Sequence, residues 1–161
     1  LYMFAVSRAV MPSWYSEGLA ESFGGQGTYG WKDAALEVGG EMAGFRTDAL
    51  LARSQRFSLE ELLEADALSL FAEDRERALT FYVQAWTLER FLRAEADKSL
   101  REKFERWEQQ CLGAALGAEL DNDWASDASA AQALFAEAFA EEMGQLEESY
   151  SAWLDRWLMP E

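Results

Sequence analysis

A mainly α-helical, multi-helix assembly is the fold class this sequence predicts, and three observations predict it. Only two prolines occur, Pro12 and Pro160, so long stretches of chain carry no helix breaker. Valine is scarce, isoleucine is absent, and few segments alternate with period two, which argues against a sheet. Ala, Leu, Glu and Arg instead recur at the three- and four-residue spacings of an amphipathic helix.

The elements follow in order. Residues 1–10 read as the tail of a helix. Pro12-Ser13 interrupts it and restarts the chain, with Ser13 as N-cap of a helix over 14–23. Gly24-Gly25-Gln26-Gly27 stops that helix; it is no P-loop, because it lacks the Lys-Ser/Thr and follows a helix rather than a strand. A glycine-rich loop, with one short strand or helical turn inside it, runs on to Gly39-Gly40. A short helix is expected over 46–54. Ser58-Leu59-Glu60-Glu61 is a capping box that opens a helix over 58–65. The strongest helix spans 76–94, with Ala78, Phe81, Ala85, Leu88 and Leu92 on one face and Tyr82 and Trp86 beside it. The next spans 97–115 on a stripe of Leu100, Phe104, Trp107, Cys111 and Ala114, and residues 120–127 read as a polar loop. Phe135, Phe139, Met143, Leu146, Tyr150, Trp153 and Trp157 mark a last helical stretch that Gly144 splits in two. Six to eight helices result, with no solenoid repeat.

With 161 residues, half of them apolar, the chain is long enough for one domain with a real core and too apolar for a disordered tail. Thirty acidic against fourteen basic residues leave a net charge of −16, which repels nucleic acid and anionic lipid. No apolar run approaches the ~20 residues of a membrane span. Histidine is absent, so Ser-His-Asp triads, Cys-His dyads and His-ligated metals are excluded within these residues. The lone Cys111 excludes an intrachain disulfide and, on an apolar stripe, reads as a packing thiol rather than a nucleophile. Glu137, Glu141, Glu142, Glu147 and Glu148 read as a solvated face. Trp153 and Trp157 fit either the core or a docking surface.

The candidate chemistry lies in Trp14-Tyr15-Ser16-Glu17-Gly18-Leu19-Ala20-Glu21-Ser22-Phe23. On a helix Tyr15, Leu19 and Phe23 face the core, while Trp14, Glu17, Gly18 and Glu21 share the neighbouring face. Two carboxylates one turn apart repel each other, and the glycine beside them leaves room for something to approach. The same residues also fit a plain solvated acidic face, which the residues alone favour.

Trp14-x-x-Glu17-Gly18-Leu19-Ala20, with Glu21 and Phe23, resembles the third-ligand helix of gluzincin (peptidase-MA-like) zinc metallopeptidases. The resemblance implies that Glu17 is the third zinc ligand and that Glu21 is a carboxylate orienting a ligand histidine. Thr80-Phe81-Tyr82-Val83-Gln84-Ala85-Trp86 is similar to the family's tyrosine helix, which makes Tyr82 an oxyanion donor; Tyr82 packing beside Trp86 is the plain alternative. The whole chain is most similar to an uncharacterised bacterial peptidase-MA-like group, through Glu17–Ala20, Leu59–Leu62, Tyr82–Trp86 and Leu146–Tyr150 in that order.

The family's His-Glu-x-x-His helix is missing. The chain opens Leu1-Tyr2-Met3-Phe4, without initiator Met or signal-peptide features. The expectation is therefore a carboxy-terminal fragment, with 1–45 carrying the third-ligand helix and glycine-rich loop and 46–161 a helical bundle. Zinc and a peptide or protein substrate belong to the intact parent, and no cofactor is expected in this chain. Its partners would be the missing amino-terminal part or, through Tyr2, Phe4 and Val6, another copy of itself. The rivals are a non-catalytic peptidase-like protein-binding module and a helical bundle in which Glu17-Gly18 is coincidence. In the first two, Glu17 and Tyr82 converge; in the third, they lie apart.

Overall fold

The computed structural model describes residues 11–24, 29–32, 35–38, 48, 50–51, 55–117 and 128–159. Among them are seven α-helices: α1 (Ser13–Gly24), α2 (Leu59–Glu64), α3 (Ala67–Glu73), α4 (Arg75–Arg90), α5 (Lys98–Gly117), α6 (Ala128–Ala138) and α7 (Met143–Leu158). A π-helical turn, Phe91–Glu95, follows α4 directly. The mainly α prediction holds. The glycine-rich region contributes an antiparallel pair rather than a single strand: β1 (Tyr29–Lys32) pairs with β2 (Ala35–Val38), Tyr29 opposite Val38 and Lys32 opposite Ala35. The expected helical tail over 1–10, the polar loop over 120–127 and most of the 46–54 helix lie outside the described residues; within the last, Asp48 and Leu50–Leu51 are helical.

Short polar side chains set the helix starts. Ser58 and Glu61 form the predicted capping box, Glu61 N donating to Ser58 Oγ (3.2 Å) and Ser58 N to Glu61 Oε2 (2.8 Å). Asp66 accepts from Ser69 N at 2.8 Å to open α3. Asp74 accepts from Glu76 N and Arg77 N at 3.0 and 3.1 Å to open α4. Asp97 does the same for α5 through Leu100 N at 3.0 Å. α3 is hard to see in the sequence because it is seven residues long and keeps Leu68 and Phe71 exposed.

Two boundaries move. Ser13 is the first residue of α1 rather than its cap, since the Pro12 carbonyl accepts from Tyr15 N and Ser16 N. The Ser13 hydroxyl reaches across instead to Asp66 Oδ1 and Ala67 N, both at 3.5 Å. The last helical stretch is split, but at the turn 139–142, and Gly144 lies inside the first turn of α7 with open space around it.

One continuous cluster of buried apolar side chains runs from Met11 to Leu154. Its centre is aromatic. Trp14 stacks on Trp107 at 5.7 Å and meets Phe135 edge-on at 5.1 Å, and Tyr15 and Phe104 close the group. Each such ring contributes about 1.5–3 kcal/mol by leaving water. The indole N–H groups find acceptors, Trp14 in Gln132 Oε1 (3.1 Å) and Trp107 in the Ala131 carbonyl (2.9 Å). A second group joins α4, the π turn and α7 through Trp86, Phe91, Tyr150, Trp153 and Trp157. Trp153 is therefore core, and Trp157 packs half-buried against Trp86 and Trp153.

Buried polar groups on α4 hold the segment that leads into α2. The Gln84 amide pairs with the Phe57 backbone in both directions, accepting from its N at 2.9 Å and donating to its carbonyl at 2.6 Å. Thr87 and the Tyr150 hydroxyl share a 2.7 Å bond beside it. Arg77 donates to the Gln55 carbonyl and lies 3.7 Å over the Phe57 ring.

Candidate functional site

The helix that carries Glu17 lies against the helix that carries Tyr82, and Gly18 is the reason the two can come so close. A Cβ built at Gly18 would stand 2.6 Å from the Ala85 carbonyl oxygen and 3.1 Å from Glu89 Cβ. No side chain fits there, so α1 and α4 meet backbone to backbone. The space beside the paired acids is filled by α4 and is not left for a ligand, which corrects the expectation for this glycine. Trp14 is corrected as well. It shares no acidic face, because α1 is buried over a wide arc (Trp14, Tyr15, Gly18, Leu19, Ser22), leaving Glu17 and Glu21 half-buried at its margin and Ala20 exposed.

Near that margin, acidic groups of α1 and of the start of α3 act electrostatically on a phenol of α4. Burial pushes the Glu17 carboxyl above the usual carboxylate range. The Tyr82 phenol is also pushed up, first by burial, then by the nearby charges of Glu17 and of Asp66, which caps α3. Tyr82 thus stays protonated at neutral pH and able to donate a hydrogen bond. Its ring meets Phe81 edge-on at 5.8 Å. Ser13, at the start of α1, also reaches Asp66, at 3.5 Å. The Glu17 charge thus reaches the Tyr82 phenol, and Glu21 follows Glu17 one turn along. Asp66 is not singled out by sequence reasoning because its place here depends on the α2–α3 corner; its capping spacing was the available signal.

A zinc ion with peptidase chemistry needs three protein ligands and an open position. The donor set here does not meet that need. The chain holds no histidine, and among the described residues no group of three or more His, Cys, Asp or Glu could hold a metal ion. Glu17 offers one carboxylate to a shared site at most.

Cys111 is fully buried on α5, and burial, then the Glu108 charge, raise its thiol to about 11. It is a packing residue.

No family model, curated protein or solved structure matches the chain. Among the described residues no helix is long and apolar enough to cross a membrane.

Proposed function

We propose that this chain is the carboxy-terminal helical part of a gluzincin-type zinc metallopeptidase domain, in which Glu17 is one metal ligand and Tyr82 a hydrogen-bond donor to the reacting carbonyl. The observation that carries the reading is the seating of Trp14-x-x-Glu17-Gly18-Leu19-Ala20 on α4, where the missing side chain of Gly18 lets the Glu17 helix come up against the Tyr82 helix. A coincidental Glu-Gly pair on a solvated face needs neither the close approach nor the partial burial of Glu17. Two imidazoles and the general base would have to come from chain preceding Leu1, and Glu21 would orient one of those imidazoles. By itself the chain is catalytically inert on this reading.

The absence of histidine favours a second reading, a peptidase-like scaffold kept for binding protein. One experiment separates them. The coding sequence upstream of Leu1 is read, and the longer protein is purified and assayed for zinc. A His-Glu-x-x-His helix shortly before Leu1, with one zinc per chain lost in Glu17→Ala, is the expected result. An upstream frame without those histidines, or zinc content indifferent to Glu17→Ala, sinks the peptidase reading and leaves the scaffold.

A further inference from the structure

Two side chains of α1 that bracket Glu17 and Gly18 end on carboxylates of two other helices. The Tyr15 hydroxyl donates to Glu108 Oε1 on α5. The Ser22 hydroxyl reaches Glu89 Oε2 on α4 at 3.3 Å and the Gly18 carbonyl at 3.2 Å. Arg93, in the π turn between α4 and α5, closes the circuit. Its Nε donates to Glu89 Oε1 at 2.6 Å and its Nη2 to Glu108 Oε1 at 2.8 Å.

Only 3% of Glu89 is exposed, and a carboxylate so deeply buried is costly unless it is paired. A guanidinium suits this place because its planar fork serves two acceptors from one group, whereas an ammonium acts as a single point charge. The turn that holds Arg93 is closed by an i to i+5 bond, Ala96 N to the Phe91 carbonyl at 2.8 Å. Contacts that join α4 and the π turn to α7 without Arg93 include the Thr87–Tyr150 bond, the Tyr150 hydroxyl to the Gln84 carbonyl (3.2 Å), and the Trp86–Trp157 and Phe91–Trp153 ring pairs.

We propose that Arg93 is the positioning residue of the Glu17 helix, its guanidinium seating α1 on α4 and α5 through Glu89 and Glu108 while the α4–α7 body holds without it. The inference rests on this contact geometry and stands whatever Glu17 binds. The π turn thereby presents one cation to two carboxylates, each of which holds an end of the same helical segment.

Amide hydrogen exchange on the 161-residue chain tests it, because local release and global weakening differ in where protection is lost. In Arg93→Gln, amides from Glu17 to Ser22 should exchange about tenfold faster than in the unaltered chain, with those from Leu146 to Leu154 of α7 little changed. Arg93→Lys keeps the charge but not the fork and should fall between the two. Tyr15→Phe removes one bond of the circuit and should loosen the same segment to a smaller degree, which keeps the test open should Arg93→Gln not fold. Equal acceleration in α1 and α7, or none in α1, overturns the proposal. Full protection in Arg93→Lys overturns the bridging role as well, since charge alone would then suffice.

Discussion

A methyl group at position 18 would press on a backbone carbonyl that has nowhere to go, since Ala85 lies inside a well-formed helix. Gly18→Ala therefore sets two effects against each other. Alanine improves helix propensity by up to about 1 kcal/mol. Overpacking costs about 1–3 kcal/mol, and at 2.6 Å from backbone the cost wins. Urea unfolding of Gly18→Ala should show a net loss of up to about 2 kcal/mol; a gain in stability would mean that α1 does not meet α4 at this point. Cys111 offers a second residue-scale check. Its thiol is buried and raised to about 11, so a thiol reagent at neutral pH should label the native chain far more slowly than the urea-unfolded one. Rapid labelling of the folded chain at neutral pH would contradict the burial.

At the scale of the element, the capping box at Ser58 is the feature that sequence spacing announced and the fold reproduced bond for bond. Ser58→Ala leaves Glu61 N without its acceptor and should cost about 0.5–2 kcal/mol of stability in thermal or urea unfolding. The backbone and side-chain bonds from Ser58 hold the Glu61 carboxyl below its usual range. The sign follows from linkage: a carboxyl lowered by folding stabilises the fold above its unfolded titration range, and that contribution fades as pH falls through the folded one. The penalty of Ser58→Ala should accordingly shrink in acid, and a penalty that grows there would count against the box. The start of α1 shows the limit of such reading. Ser13 follows Pro12 as a cap should, but the Pro12 carbonyl takes the first bonds and the Ser13 hydroxyl turns to Asp66.

For the whole molecule, composition and geometry point to one metal prediction. The chain carries a net charge of −16 and no histidine, and a single half-buried carboxylate at Glu17 makes no stoichiometric site. Elemental analysis of the purified 161-residue chain should find well under one zinc per molecule after dialysis. One tightly held ion per chain would require ligands other than those proposed. The fold itself is held by two aromatic groups, one around Trp14 and Trp107 and one in which Trp86 of α4 and Phe91 of the π turn meet Tyr150, Trp153 and Trp157 of α7.

Sequence by itself determined the helical class, the apolar stripes of α4 and α5 and the capping box, because each depends on residues within a turn or two of one another; that the last stretch divides was legible too, but its place, at 139–142 rather than at Gly144, was not. It also singled out Glu17, Gly18 and Tyr82. Tertiary structure alone decided what Gly18 is for, that Trp14 belongs to the core, and that the charges of Glu17 and Asp66 reach Tyr82. It alone joined Tyr15, Glu108, Arg93, Glu89 and Ser22 into a circuit, of which only the Glu89–Arg93 spacing was local enough to be visible beforehand. The physical reason is the same in each case: these groups meet across helices, and the crossing of α1 over α4 is set by a backbone approach that no periodicity along the chain encodes.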